Sequence, residues 1–119
     1  MPTIPRLKKR SGFLRVAACQ RKAVTPTMIV QVAPHCQTEE GGQVLPSLRV
    51  GFTASRKVGN AVKRNRARRR LRAVVQVVCP FRAFSGEDIV LIARPATVTA
   101  PFTALLRDFN QALNRLEKP

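Results

Sequence analysis

The stretch RKVGNAVKRNRARRRLR, residues 56–72, places nine Lys or Arg side chains among seventeen positions and contains no acidic residue. Asn60 is a suitable N-cap and Pro80 is a helix breaker, so the sequence predicts a helix between them that runs to about Val78. Apolar residues occur at helical spacing only in its C-terminal half: Ala67, Leu71, Val74, Val75 and Val78. The stretch therefore predicts one long helix, with a cationic surface along its start and a core stripe along its end.

The cationic residues of this helix repel one another. Many lie three or four positions apart, where side chains are neighbours, and each like-charge pair costs about 0.2–0.5 kcal/mol in an isolated helix. An ordinary solvated face would include acids that relieve the repulsion, but no Asp or Glu lies between Gly41 and Gly86. The helical projection turns five residues away from the core stripe: Asn65, Arg66, Arg69, Arg70 and Arg72. We interpret this face as a phosphate-binding surface, with Arg64 placed to line a cleft at the edge of the sheet.

The chain as a whole is strongly basic, with a net charge of +16 over 119 residues, of which 45% are hydrophobic. This length allows one domain with a single modest core. So much charge indicates a polyanionic partner, and nucleic acid is the first candidate, ahead of an anionic membrane surface. No apolar run approaches the ~20 residues of a membrane span. The N-terminus makes a poor signal peptide because Arg15 and Gln20 interrupt its apolar stretch, so we predict no membrane partner.

The rest of the chain predicts a small sheet covered by helices. The predicted segments, in order, are a loose end at 1–5, a helix at 6–22, a strand at 27–33, an exposed loop at 34–46, a strand at 47–55, the basic helical region at 56–78, a strand at 88–94 and a helix at 101–116. The unbroken apolar run of the last strand indicates burial on both faces. Residues 6–119 are thus predicted to form one domain of the α+β class, a small mixed β-sheet packed by helices in the order α-β-β-α-β-α.

Residues able to carry chemistry are few and scattered. His35 is the only histidine, and the three cysteines, Cys19, Cys36 and Cys79, form no CxxC pair, so a zinc site has almost no ligands available. Reduced thiols are typical of the cytoplasm, which is the predicted location. The acidic residues show no convergent spacing, whereas a protein-borne nuclease needs metal ligands or general acid–base groups. We therefore predict no catalytic residue and no metal site in this chain.

The longer stretch SRKVGNAVKRNRARRRLR, residues 55–72, resembles the signature of the bacterial ribonuclease P protein subunit. The hallmark of that family is an Arg-Asn-Arg core, here Arg64, Asn65 and Arg66. Three further segments occur in the family's order: the opening RLKKRSGFLRV, the strand RVGFTASRKVGNAV and the late DIVLIARP before a final helix. The resemblance covers residues 6–116, and the length of the motif makes it specific where an arginine cluster alone would be weak.

The resemblance implies a function and a fold. Members of the family are partners of a large catalytic RNA, with which they remove the 5′ leader of precursor tRNA by hydrolysing one phosphodiester bond. The RNA, with Mg²⁺, carries the chemistry of this endonuclease, while the protein binds the RNA and the leader and requires no protein partner. The family fold, of the ribosomal protein S5 domain 2-like type, contains a left-handed β-α-β crossover, which the general right-handed rule would not predict.

The resemblance also assigns two RNA-facing surfaces. The residues that match the surface facing the catalytic RNA are Arg64, Asn65, Arg66, Arg68, Arg69 and Arg72. The residues that match the cleft for the precursor tRNA leader are Phe13, Gln31, Arg56 and Lys57. Gln31 stands where some members have a tyrosine, and Ala17 where many have a second aromatic residue, so we expect a weaker or more polar leader contact. An aromatic residue such as Phe13 on an amphipathic helix is also commonly a core residue.

Two other classes of nucleic-acid-binding protein remain open at this point. A basic structural RNA-binding protein, such as a ribosomal protein, would share the charge and the sheet-and-helix layout. The full motif at residues 55–72 argues against that class, and the RNA that copurifies would decide. A DNA-binding module would need a helix that reads the major groove. The crowded arginines and the lack of helix-turn-helix spacing argue against it, and binding that persists on duplex DNA competitor would support it.

Overall fold

The structure is a computed structural model that describes residues 10–19, 21–34, 49–78 and 87–117. Within these ranges the elements are, in chain order, α1 (Arg10–Ala18), β1 (Lys22–Val24), β2 (Met28–Pro34), β3 (Arg49–Thr53), α2 (Ala61–Val78), β4 (Glu87–Ala93), α3 (Pro95–Thr99) and α4 (Phe102–Glu117). The predicted loose end at 1–5 lies outside the described residues. So does the predicted loop at 34–46 except for Pro34, which is instead the last residue of β2.

The four strands form one mixed sheet in the order β1-β2-β4-β3. The central strand β2 is antiparallel to both β1 and β4, whereas β3 and β4 are parallel neighbours. Parallel neighbours need a crossover connection, and helix α2 provides it between β3 and β4. This unit is the β-α-β crossover expected from the resemblance, and its left-handedness stays a prediction.

The main core lies between one face of the sheet and the helices α2 and α4. Successive strand residues point to opposite faces, so Met28, Val30 and Val32 of β2 share this face and are buried. The face is continued by Ile89, Leu91 and Ala93 of β4. Helix α2 contributes the predicted stripe, Ala67, Leu71, Val74, Val75 and Val78, all of them buried. Helix α4 contributes Leu105, Phe109, Ala112 and Leu113. The core therefore fixes which face of α2 remains available outside.

The opposite face of the sheet is only partly covered. Helix α1 packs there through the buried Val16, which forms a small cluster with Ala33 of β2 and Val90 of β4. Phe13 and Ile92 pack against this cluster and are half-buried. Since Val90 lies on this face and its neighbours Ile89 and Leu91 lie in the main core, the predicted burial of the last strand on both faces is confirmed.

A buried polar network joins the start of β2 to α3 and α4. Asp108 is 1% exposed and accepts hydrogen bonds from the backbone N–H of Thr27 at 3.2 Å and from its hydroxyl at 2.7 Å. The hydroxyl of the buried Thr97 donates to the carbonyl of Thr27 and accepts from the backbone N–H of Arg94 at 2.9 Å. These partners satisfy groups that would be costly to bury alone, and they fix α3 on the sheet.

The predicted α+β class and mixed sheet are confirmed, and two short elements were missed. The predicted helix at 6–22 is wrong in its last turn, because α1 ends at Ala18 and Lys22–Val24 form the edge strand β1. Helix α3, with Pro95 in its first turn, lies where only a connection was expected. The predicted N-cap of α2 is confirmed, since the side-chain oxygen of Asn60 accepts from the N–H of Lys63 at 3.0 Å.

Candidate nucleic-acid interface

The outer face of α2 is a cationic surface. Burial of the core stripe against the sheet leaves the opposite side of the helix in solvent, and Asn65, Arg66, Arg69 and Arg72 are exposed there. The two other predicted residues are half-buried: Arg68 lies at the flank of this side, and Arg64, seven residues before Leu71, lies in line with the core stripe beyond its apolar end. We call these six residues the outer face of α2. The helix contains no acidic residue, so its charge is uncompensated along its own length.

Several side chains of the outer face are already held in place. Arg68 donates from Nη1 to the side-chain oxygen of Asn65 at 3.4 Å, one turn away. Arg66 donates from Nε to the backbone carbonyl of Val98 in α3 at 3.2 Å. The Nε of Arg64 is buried and has no hydrogen-bond partner among the described residues. Arg66 and Arg68 each use one nitrogen in these contacts, and the remaining guanidinium nitrogens can bind phosphate oxygens.

The helical projection from the sequence was wrong for Arg70, which it placed with the outward-facing residues. The side chain is half-buried and reaches α3, where Nη1 donates to the carbonyls of Thr97 at 2.8 Å and Val98 at 2.9 Å. Its Nη2 donates to the carbonyl of Ala100 at 2.6 Å. Burial, and secondarily the charge of Arg66, lowers the pKa of Arg70. The projection failed here because α3, which supplies these carbonyls, was not predicted.

A groove of about 590 Å³ lies on the sheet face opposite α2. Val24, Ile29 and Ile92 give it an apolar floor, because these residues alternate with core residues on β1, β2 and β4. The remaining lining residues are Ser55, Lys57, Ala93, Arg94 and Pro95. The groove therefore has apolar surface in its centre and two cationic side chains at its margin, an arrangement that fits a stacked base with its phosphate.

The predicted leader residues Phe13 and Gln31 lie on the same sheet face as this groove. Gln31 is half-buried on β2, two positions from Ile29, and pairs with Lys22 of β1. Phe13 packs against the cluster that Ile92 also contacts. The ring of Phe13 is therefore partly packed in this cluster and partly exposed to solvent.

The turn that follows β3 places the two other predicted leader residues. Arg56 and Lys57 are exposed, and Lys57 lines the groove, whereas Arg56 is not among its lining residues. Backbone hydrogen bonds from Val58 to Ser55 and from Gly59 to Arg56, both 3.1 Å, hold the turn, and Val58 anchors it in the core. Gly59, with φ of 144°, then leads into α2. One short turn thus connects the groove to the outer face of α2.

Arg94 is a groove residue that the sequence analysis missed. It is half-buried at the end of β4, and its Nη1 donates to the carbonyl of Thr25 at 2.9 Å. The Arg-Pro pair that ends DIVLIARP was visible in the sequence, but nothing in the sequence showed that it would lie beside Lys57. The described ranges bring together no group of three or more His, Cys, Asp or Glu that could hold a metal ion. None of the described helices is long and apolar enough to cross a membrane.

Comparison with known proteins identifies the family. The family model described as Ribonuclease P matches residues 1–117. The chain belongs to the ribonuclease P protein family. The ribonuclease P protein component of Paramagnetospirillum magneticum is 51% identical over 113 residues, covering 95% of this chain and 83% of that protein. The one from Ruegeria pomeroyi is 46% identical over 114 residues, covering 95% and 86%.

Solved structures of ribonuclease P proteins have the same fold. The Staphylococcus aureus protein superposes with a TM-score of 0.74 at 22% identity, covering 97% of both chains. The Thermotoga maritima protein gives a TM-score of 0.71 at 22% identity, covering 94% of both. The resemblance drawn from the motif at residues 55–72 is therefore confirmed, and the ribosomal-protein and DNA-binding alternatives are set aside. Membership of the ribonuclease P protein family places the chain in tRNA processing and implies an RNA partner.

Proposed function

We propose that this chain binds the ribonuclease P RNA through the outer face of α2 and the 5′ leader of precursor tRNA through the groove. The RNA, with Mg²⁺, then hydrolyses the phosphodiester bond that releases the leader. The observation that carries the proposal is the separation of two cationic surfaces on opposite sides of one sheet, joined by the turn at residues 55–59. A protein built in this way can hold two RNAs at once.

The outer face of α2 suits a folded RNA. Arg66, Arg69 and Arg72 are exposed on one side of a helix whose other side is locked in the core. Planar guanidinium groups bind phosphate oxygens in pairs, and neutralising each phosphate releases counterions. Binding of phosphates also removes the repulsion between the arginines, which the free helix must tolerate. Affinity for RNA is thus supported by the same crowding of charge that is unfavourable in the free protein.

The groove suits a single strand. Unpaired bases stack on aromatic or apolar surface, and Ile29, Ile92 and the nearby Phe13 provide such surface on one sheet face. Lys57 and Arg94 at the margin can hold the backbone phosphates. The side chains give no fixed pattern of base-reading groups apart from Gln31, so contact with the leader would depend more on stacking and charge than on sequence.

Mg²⁺ would be held by the RNA in this proposal. Two RNAs that approach one another need counterions, which are supplied either by Mg²⁺ or by protein cations. The net charge of +16 and the two surfaces supply the second kind. The protein would therefore lower the Mg²⁺ concentration that productive assembly requires.

The decisive experiment is cleavage of a precursor tRNA by a bacterial ribonuclease P RNA across a Mg²⁺ titration, with and without this protein. We expect a large protein-dependent gain at low Mg²⁺ that shrinks as Mg²⁺ rises. The protein alone should cleave nothing at any Mg²⁺ concentration. Tight binding without any gain would reject the proposed role, and cleavage by the protein alone would place the chemistry in this chain.

Phe13→Ala tests the groove, with Leu14→Ala as the matched control. Leu14 is the neighbouring apolar residue of α1, but it is 55% exposed and belongs to neither core cluster. Loss of one stacking ring should weaken binding of leader-bearing precursor to the holoenzyme by about 5- to 50-fold, while binding of mature tRNA stays unchanged. Equal effects of the two variants, or equal losses for precursor and mature tRNA, would remove Phe13 from the leader site.

A further inference from the structure

We propose that Arg70 makes no RNA contact of its own and instead positions Arg66 for phosphate binding, through the carbonyl groups at the C-terminal end of α3. The proposal rests on the proposed function of the outer face of α2. Arg69 and Arg70 are adjacent in the sequence, yet Arg69 is exposed while Arg70 is half-buried against α3. Arg70 donates two hydrogen bonds to carbonyls of α3 and one to the carbonyl of Ala100, which follows the helix, while Arg66 donates one to α3.

The acceptor for Arg70 is a fixed row of backbone carbonyls. The last carbonyls of a helix have no partner within it and need donors from elsewhere. The carbonyl of Ala96 in α3 accepts from the N–H of Ala100, the residue that caps the helix, and the carbonyls of Thr97, Val98 and Ala100 all accept from Arg70. Because Thr97 is also bonded through its hydroxyl to Thr27 and Arg94, this row of carbonyls is anchored to the sheet.

Arg66 and Arg70 donate hydrogen bonds to the same carbonyl oxygen. The carbonyl oxygen of Val98 accepts from Nη1 of Arg70 at 2.9 Å and from Nε of Arg66 at 3.2 Å. Two guanidinium groups of like charge are thus held side by side, with Arg70 against the carbonyls and Arg66 exposed. Since Nε of Arg66 is occupied, its two terminal nitrogens remain for a phosphate, which is the bidentate edge of the group.

The chemistry of this contact requires arginine. Arg70 spreads its donors over three carbonyls, which the planar fork of a guanidinium allows and the single nitrogen of lysine does not. A lysine at position 70 would keep the positive charge of α2 and lose the spacing that holds Val98 beside Arg66. Charge and geometry can therefore be separated by one substitution.

The test is a double-mutant cycle between Arg70→Lys and Arg66→Ala, measured as affinity for an in vitro transcribed bacterial ribonuclease P RNA at fixed salt. With Arg66 present, Arg70→Lys should weaken binding about three- to tenfold, whereas in the Arg66→Ala background it should weaken binding by less than about twofold. Arg69→Lys is the matched control: it makes the same change at an exposed neighbour that makes no described hydrogen bond to α3, so whatever loss of affinity it causes should be equal in both backgrounds.

The other outcomes are distinguishable. Equal losses from Arg70→Lys in both backgrounds would show that Arg70 acts on the RNA independently of Arg66. No loss in either background would show that Arg70 has a structural role only. Either result would overturn the positioning role and leave the proposed function of the outer face of α2 untouched. If Arg66→Ala itself leaves affinity unchanged, the proposed role of the outer face fails first and the positioning role fails with it.

A measurement on the unmodified protein covers the case in which Arg70→Lys does not fold. The side-chain Nε–H signals of Arg66 and Arg70 are followed by nuclear magnetic resonance as the same RNA is added. The Arg66 signal should shift, while the Arg70 signal should stay near its position in the free protein. A shift of the Arg70 signal as large as that of Arg66 would overturn the proposal.

Discussion

Arg69 and Arg70 have the same side chain and adjacent positions, and their surroundings give them different roles. Arg69 extends into solvent, where a guanidinium keeps its hydration and can exchange it for a phosphate. Arg70 has already exchanged water for three carbonyls, so binding a phosphate would require it to leave them. At this scale the partner of each donor, rather than the residue type, decides whether a cation is available to RNA.

Arg66→Ala should weaken binding of the ribonuclease P RNA and leave the protein folded. The side chain is exposed and makes one described hydrogen bond, to Val98, so its removal should cost about 1 kcal/mol of unfolding free energy or less. Loss of one phosphate contact should reduce the log–log salt slope of RNA binding by about 0.9. Affinity is measured over a salt series, and urea unfolding measures stability.

Arg107→Ala is the control for that prediction. Its side chain is 63% exposed on α4 and pairs through Nε with the buried Asp108 at 3.4 Å, so its removal takes away the same charge from another part of the surface, and urea unfolding checks that the fold is kept. We expect an unchanged salt slope. A slope that falls equally in both variants would mean that net charge, rather than the outer face of α2, determines binding.

Residue positions on α2 could be predicted because a helix has a fixed period. The stripe from Ala67 to Val78 was found from spacing alone, and with it the exposure of Asn65, Arg66, Arg69 and Arg72. The half-burial of Arg70 could not be found in this way, because it depends on carbonyls 27 to 30 residues away in the sequence. Contacts between distant segments leave no periodic signal.

At the scale of elements, the start of α2 is specified by two adjacent residues. Asn60 caps the helix through its side chain, and its carbonyl accepts the first helical bond, from the N–H of Arg64 at 2.9 Å. Gly59 supplies the backbone conformation that turns the chain from the groove into the helix, with φ of 144°. This region of φ is accessible to glycine and strained for other residues.

Gly59→Ala should therefore destabilise the protein by about 1–3 kcal/mol. An added Cβ would also lie 2.6 Å from Cδ of Lys63, a flexible side chain that can move aside. Unfolding in urea measures the loss, and the same substitution in a Lys63→Ala background separates the two causes. Most of the loss should remain there, because the strain is in the backbone. Full recovery would show that the contact with Lys63 was the cause.

The two missed elements show what the sequence does not encode locally. Strand β1 has three residues and helix α3 has five, which is too short for a hydrophobic period to be recognised. Both are held by distant partners. Arg21 beside β1 donates to the carbonyl of Leu116 at 2.6 Å, and α3 is fixed by Thr27 and Arg70. Helices α2 and α4 were predictable because each carries a hydrophobic period, and strands β2 and β4 because each is a seven-residue, mainly apolar run rich in β-branched residues.

At the scale of the whole molecule, the charge is organised by the sheet. One face carries α2 and its outer face, and the other carries α1 and the groove. The sheet, the main core and the body of α2 separate the two cationic surfaces. In the proposed function this arrangement places the protein between two RNAs, where its charge lowers the repulsion between them.

Binding of the ribonuclease P RNA should depend steeply on salt. If the five arginines of the outer face each neutralise one phosphate, the log–log slope of affinity against salt should be about −4.5. Affinity is measured between low and physiological salt with Mg²⁺ held constant. A slope near zero would exclude the outer face of α2 as the interface.

Helix α4 covers part of one face of the sheet, and this has a consequence for folding during synthesis on the ribosome. Helix α4 supplies Leu105, Phe109 and Leu113 to the core under β2, and Arg115 donates to the carbonyl of Val24, 91 residues earlier. Because α4 follows every strand in the sequence, a nascent chain that has emerged only as far as β4 has a sheet with half of its cover missing. Helix α2 shares this core with α4, so we expect its orientation on the sheet to be fixed only when α4 packs beside it. We therefore expect the proposed RNA-binding surface to become competent late, once α4 has been translated.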